Sequence, residues 1–311
     1  MSSGIKVFAP ASVANMACGY DLLGFALEKP GDEIIARLSD KPGVHITGIF
    51  GAKGKLPLEV ERNTAGVAAL RFLEHLELEK EVGIELEIHK KMPFGSGLGS
   101  SAASAVAGVM AVNELLKRPL TKRELLPFAV AGEQIADGAY HADNVAPSLL
   151  GGIIFIRDNA SLDVHRLPVP KGLYAVVVHP AVEVLTREAR SILKNEVSLD
   201  GMIEQSGNLG GLIVGLHNGN FDLIRRSLKD VIIEPQRAAL IPHFYEVQHA
   251  ALNEGALGCS ISGAGPSIFA LCDNSFIAEN VGVAMEKVFA KHKVDTSLFI
   301  SSINLEGAIK Y

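Results

Sequence analysis

Pro93-Phe94-Gly95-Ser96-Gly97-Leu98-Gly99-Ser100-Ser101-Ala102-Ala103 is the stretch on which the reading of this chain turns. Ahead of it, Ile84-Glu-Leu-Glu-Ile-His89 alternates apolar and polar residues, the period of a strand with one wet face. Behind it, Ala102 to Leu116 is rich in Ala, Val, Met and Leu and predicts a helix broken by nothing but Gly108. A glycine-and-serine loop therefore joins a strand to a helix. Its three glycines let the backbone turn tightly and leave no Cβ between the N–H groups and a ligand. Ser100 and Ser101 stand where a helix cap belongs, and the first helical N–H groups lack intrahelical partners. With the positive end of the helix dipole, those donors make an anion site, so the stretch reads as a phosphate-gripping loop. No Lys follows Gly99, which excludes a Walker A loop. The alternating strand ahead points to a half-exposed antiparallel sheet, not the buried parallel sheet of a dinucleotide fold. A glycine-rich turn with an ordinary serine cap would account for the glycines alone. The density of small residues from Gly95 to Ala103 favours a ligand.

Composition narrows the classes. A chain of 311 residues that is 48% hydrophobic can form two ordinary domains. A formal net charge of −6 argues against a nucleic-acid surface, and no run of like charge suggests a tail. The longest apolar stretches, such as Val145 to Ile156, carry Pro147, Gly151 and Gly152 and fall short of a membrane span. The first residues run into a strand-like Ile5-Lys-Val-Phe-Ala9 without a signal-peptide core. Cys18, Cys259 and Cys272 lie in apolar contexts and read as buried thiols of a cytoplasmic protein, not a disulfide framework or zinc site.

The pattern along the chain is α+β. Residues 5–10, 33–38 and 44–50 read as strands, and Asn63 or Thr64 caps a helix running to about Glu77. Thr121-Lys-Arg-Glu124 is a capping box for a helix through Gln134, and Gly151 to Ile156 is a buried strand. Two prolines interrupt the pattern between Val164 and Pro170, where we expect the boundary between domains 1–165 and 166–311. Beyond it come a strand (173–178), helices (187–194, 199–216, 220–229, 236–252), two strands (258–262, 266–272), a helix (275–291) and a last strand (297–305). That order suggests a split βαβ layout.

Pro93-x-x-x-Gly97-Leu-Gly-Ser-Ser101 resembles the ATP-binding motif of the GHMP kinases, the superfamily of galactokinase, homoserine, mevalonate and phosphomevalonate kinases. Pro10-Ala-Ser-Val-Ala-Asn15 and Ile261-Ser-Gly-Ala-Gly-Pro-Ser267 fit its two other motifs, in the same order and over nearly the whole chain. The resemblance implies a two-domain α+β fold. Its N-terminal ATP-binding domain would be like the second domain of ribosomal protein S5, its C-terminal domain ferredoxin-like, with ATP bound between them. Within the superfamily the chain is most similar to the homoserine-phosphorylating family. Gly19-Tyr-Asp21-Leu-Leu-Gly24-Phe, His141-Ala-Asp143-Asn144-Val-Ala-Pro147, Thr186-Arg-Glu-Ala-Arg190 and Glu234-Pro-x-Arg237 carry that likeness. Met16-Ala-Cys18, after Asn15, departs from the family's pattern.

The likeness implies transfer of a phosphoryl group from ATP to the side-chain hydroxyl of L-homoserine in threonine biosynthesis, by a cytoplasmic homodimer. The residues can be checked against that chemistry. A zwitterion with a terminal hydroxyl needs an anion for its ammonium, a guanidinium fork for its carboxylate and a polar group at the hydroxyl. Asp21, Arg190 with Arg237, and Asn144 supply that set, with Asn15, His141 and Thr186 nearby. The loop from Pro93 to Ala103, with Gly263 and Gly265, would hold the phosphates, and Arg62, Asn63 and Thr64 the adenine. Ser101 and Glu133 match the superfamily's Mg²⁺ pair. Asn144, Thr186 and Ser101 are the expected catalytic residues. Asp143 is the alternative to Asn144 at the reacting hydroxyl, as a base. A mevalonate- or shikimate-type kinase shares the frame, but its acceptor carries no ammonium. A silent ligand-binding regulator also shares it, yet would not need Ser101, Glu133 and both glycine motifs intact.

Overall fold

The computed structural model describes residues 4–311. The first half runs β1 (Ile5–Ala14), β2 (Leu23–Ser39), β3 (Gly43–Phe50), a 3₁₀ turn (Val60–Arg62), α1 (Thr64–His75) and β4 (Gly83–His89). Three helices follow, α2 (Ser100–Leu115), α3 (Lys122–Asp137) and α4 (Val145–Leu150), then β5 (Ile153–Asp158) and β6 (Asp163–Leu167). The second half opens with β7 (Tyr174–Pro180), α5 (Thr186–Ser191), α6 (Leu199–Asn218), α7 (Phe221–Ser227), α8 (Glu234–Arg237) and α9 (Phe244–Asn253). It closes with β8 (Gly258–Ile261), β9 (Ile268–Cys272), α10 (Ser275–Lys291), β10 (Thr296–Ser302) and β11 (Ile309–Lys310).

Seven strands make the first sheet, in the order β11-β1-β2-β4-β3, with β5 on the first residues of β2 and β6 on β5. The pairs are antiparallel except β3 with β4. The second sheet is antiparallel throughout, in the order β10-β7-β9-β8. Its first and third strands are central, the layout of a split βαβ unit. The 165/166 division read from the sequence passes through β6, and β11 returns from the second half to pair with β1.

Small residues let three helices crowd onto the first sheet. α2 is buried from Ala102 to Glu114 and packs against β1, β2, α1 and α3. A Cβ on Gly108 would come within 2.8 Å of the Ala65 carbonyl, and one on Gly132 within 2.5 Å of the Thr64 carbonyl. The helix after the phosphate loop is therefore locked between two others. Phe25 and Phe269 meet edge to face at 5.9 Å and join the core of the first half to the second sheet.

Several expectations need correction. Gly99, with φ +64°, is the cap of α2, and Ser100 and Ser101 lie in its first turn. β2 begins ten residues earlier than the stretch 33–38, at Leu23. The interrupted region holds β6, which ends just before Pro168. The helix expected over 236–252 is divided into α8, a 3₁₀ turn and α9, because Pro242 has no N–H to continue the ladder.

Candidate active site

The loop from Gly95 to Gly99 lies against three other segments of the chain. A Cβ on Gly99 would stand 2.2 Å from Ser12 Oγ and 2.7 Å from Asn144 Oδ1. One on Gly97 would stand 2.5 Å from the Ser262 carbonyl oxygen and 2.7 Å from that of Gly265. The 262–267 turn is tied to the loop directly: Ser262 Oγ donates to Gly97 O at 2.7 Å, and Ser267 N donates to Ser96 O at 3.3 Å. Gly97 and Gly99 are thus required by protein packing. Gly95, with φ +64° and its nearest neighbour 4.0 Å away at Glu183 Cγ, faces the open cleft.

A buried carboxylate that the sequence did not announce anchors this loop. Asp32 is wholly buried; it accepts from Lys91 N and Ser100 Oγ at 2.9 Å and from Ser104 Oγ at 3.2 Å, and is ion-paired with Lys90. Lys90 Nζ also donates to Ser100 O and Ser104 Oγ, both at 2.7 Å. The hydroxyl of Ser100 is thereby used inside the protein, whereas that of Ser101 donates to Glu133 Oε1 at 2.6 Å. No local pattern signals the Asp32–Lys90 pair, because it joins β2 to the residue after β4.

The loop forms one wall of a cavity of about 470 Å³, a size suited to a small ligand. Asn63, Ser101, Glu133, Asn144, Thr186, Gly263 and Gly265 all line it. Leu56, Phe94 and Ile135 add apolar side chains to its lining. Asn63 has its polar atoms engaged there. Its Oδ1 accepts from Ala65 N at 3.1 Å and Gly66 N at 3.3 Å as the cap of α1, and its Nδ2 donates to Pro57 O at 3.0 Å. These bonds fix the orientation of its side chain in the wall. Asn144 is held by Ser12, whose Oγ donates to Asn144 Oδ1 at 2.8 Å, so the amide keeps its N–H₂ as the group to donate into the cavity. The adjacent Asp143 is buried, with its carbonyl packed where Gly24 lacks a Cβ.

The remaining predicted residues gather beside this cavity. Arg190 reaches Asp21 with both terminal nitrogens, at 3.2 and 3.1 Å, and His141 Nδ1 lies 3.5 Å from Asp21 Oδ2. Asn15 Oδ1 accepts from Asp21 N at 3.0 Å, while Asn15 Nδ2 donates to Gly263 O at 2.9 Å. Arg237 donates to the same carbonyl at 3.1 Å and to Ala189 O at 2.9 Å. Asp230 fixes the start of α8 by accepting from the N–H groups of Ile232, Ile233 and Glu234, each at 2.9 Å, which aims Arg237 inward. Thr186 and Arg190 are four residues apart on α5, so one face of that helix serves both the cavity and Asp21. Tyr20 is an addition to the predicted set: Arg237 lies 5.0 Å and Arg190 5.6 Å from its ring centroid. Burial, then the Asp21 charge, pushes its hydroxyl above the usual tyrosine range, while burial pulls Arg237 below the usual arginine range. Its place beside Asp21 in sequence was the available signal.

An amide-lined anion loop, a serine–glutamate pair and a carboxylate–guanidinium cluster therefore adjoin in one cleft. Comparison with known proteins agrees with that combination. The model of the GHMP kinases N terminal domain matches residues 63–152, and that of the GHMP kinases C terminal matches 212–291. A homoserine kinase of Chlorobium phaeobacteroides (strain BS1) is 47% identical over 311 residues, 97% of each chain. The crystal structure of a homoserine kinase from Cytophaga hutchinsonii superposes with a TM-score of 0.97 at 52% identity, covering 100% of this chain and 98% of that one. L. major mevalonate kinase, at 16% identity and a TM-score of 0.72 over 96% of both chains, shares the fold. The chain belongs to the homoserine kinase family of the GHMP kinases.

Proposed function

We propose that this enzyme transfers the γ-phosphoryl group of ATP to the side-chain hydroxyl of L-homoserine, releasing ADP and O-phospho-L-homoserine, a step of threonine biosynthesis. The observation that carries the reading is the Asp21–Arg190–Arg237 cluster next to the phosphate cavity, a charge set complementary to a free amino acid. In this assignment the loop amides and the α2 N-terminus cradle the phosphates, and apolar lining side chains such as Phe94 take the base. Asp21 takes the ammonium, Arg190 and Arg237 the carboxylate. The acceptor oxygen then lies by Asn144 and Thr186. Its bond to the γ-phosphorus forms as the bridging β–γ oxygen leaves with ADP, and the hydroxyl proton passes to solvent or to the phosphoryl group. Asn144, oriented by Ser12, can donate but takes no proton, which suits a loose transfer needing positioning more than a base.

Ser101 and Glu133 bring hard oxygen donors together on the cavity wall and fit a Mg²⁺ ion, which would neutralise phosphate charge there. Among the described residues no helix is long and apolar enough to cross a membrane. A cytoplasmic location accords with three unpaired, buried thiols. We take the assembly to be a homodimer. The test is release of ADP with L-homoserine, mevalonate and shikimate offered in parallel. Turnover confined to L-homoserine is expected. Nucleotide binding without turnover of any acceptor would support a silent regulator instead.

A further inference from the structure

Away from the cleft, a second group of side chains converges on the helical layer of the second sheet. His243 stands directly before α9, and His292 directly after α10. The two helices pack on one another and share the core that holds Phe244, Val247, Met285 and Phe289, so the start of one is pinned beside the end of the other. Glu246, the third residue of α9, completes the group. None of the three lines the phosphate cavity.

Capping does not account for these residues. His243 occupies the N-cap place with φ +61°, and its side chain makes no cap hydrogen bond. Glu246 sits where the acid of a capping box would reach back to the chain. Its two oxygens take the two rings instead: Oε1 lies 3.1 Å from His243 Nδ1, and Oε2 lies 3.2 Å from His292 Nε2. The rings themselves lie face to face, 3.4 Å between centroids and 9° from parallel. Lys291 Nζ, 3.8 Å from Glu246 Oε2, is the further charge beside them.

Two imidazoles and a carboxylate are the ligand types of a divalent first-row transition ion. Each of the three offers a ligand atom within 4.8 Å of the other two. In a tetrahedral zinc site, with bonds of about 2.0–2.1 Å, neighbouring ligand atoms stand about 3.3 Å apart. The two nitrogen–oxygen separations already have nearly that length. Coordination must change the ring stack, because a metal ion lies close to the plane of each imidazole that binds it. Rotation about the side-chain bonds of two partly exposed histidines tilts the rings toward a common point. Solvent on the open side supplies the fourth ligand. We propose that His243, Glu246 and His292 form a binding site for Zn²⁺, or an ion of its class, that staples α9 to α10. Mg²⁺ prefers an octahedral set of oxygens and does not compete there, which separates this site from the Ser101–Glu133 pair.

Calorimetric titration of the full chain with Zn²⁺ in excess Mg²⁺, without nucleotide, tests it. One ion per chain is expected to bind and to raise Tm. His243→Ala and His292→Ala should each weaken binding at least about tenfold, a loss that even an outer partner of a metal ligand can cause, while ATP-dependent turnover is retained. His249→Ala, a change on the exposed surface of the same helix, should bind Zn²⁺ as the wild type does. Co²⁺ in place of Zn²⁺ should give the visible absorption of a four-coordinate ion in the wild type and in His249→Ala, and not in the other two variants. A wild type that takes up no Zn²⁺, or uptake unaltered in both His243→Ala and His292→Ala, would overturn the site.

Discussion

Ser12 and Asn144 come from opposite ends of the first half, and one hydrogen bond between them decides which side of an amide faces the cavity. If Asn144 acts by donating, Asn144→Ala should lower kcat about 100-fold, the scale for losing one preorganised donor. Ser12→Ala should lower it about tenfold, with KM for ATP nearly unchanged, because the amide loses its orientation and not its chemistry. The two losses should not add in the double variant, since both act on one group. Asp143→Asn, measured at saturating ATP, should cost far less; a loss of several powers of ten there would make Asp143 the base and demote Asn144. At this scale the sequence was readable wherever residues lie in a contiguous motif, as Asp21, Arg190 and the 93–103 loop do. It was silent on Asp32 and Lys90, whose pairing depends on how β2 lies beside β4.

Elements show the same division between local and distant causes. α1 starts where Asn63 caps it, and α10 spans Ser275–Lys291 as read, because caps and apolar periodicity are written in consecutive residues. β6, β11 and the first half of β2 were missed: β11 and the first residues of β2 pair with strands far along the chain, while β6, though it pairs with the adjacent β5, is a strand of five residues with only Val164 buried. Removing the cap with Asn63→Ala should cost about 1 kcal/mol in urea unfolding and raise KM for ATP, since the same residue braces the cavity wall. α8 carries a different signature. Burial raises the Glu234 carboxyl above its ordinary value of 4.5, despite hydrogen bonds from Ser260 and Gln248. The folded chain therefore holds this proton more tightly than the unfolded chain. From pH 4.5 up to the raised value, that group's contribution makes stability fall as pH rises. Glu234→Gln should remove that slope in urea titrations between pH 4.5 and 7; an unaltered slope would show that Glu234 is not its source.

At the scale of the molecule, the two sheets meet around a cleft to which both halves contribute. Asn15, Asp21 and Asn144 come from the first, Thr186, Arg190, Arg237 and Gly263 from the second. Three motifs in order made this architecture legible, whereas which side chains would touch in the absence of substrate was not. Asp21 and Arg190, each proposed above as a substrate contact, hold one another. Under that proposal the amino-acid pocket carries an internal salt, and admission becomes an exchange of counter-ions. An incoming ammonium displaces the guanidinium from Asp21, and the incoming carboxylate replaces Asp21 at the arginines. A molecule with one of these charges separates the pair and strands the other half. Thermal-shift measurements at matched concentration should accordingly give a rise in Tm of several degrees with L-homoserine. Neither 3-amino-1-propanol nor 4-hydroxybutyrate should reproduce it, alone or mixed, because each completes half of the trade.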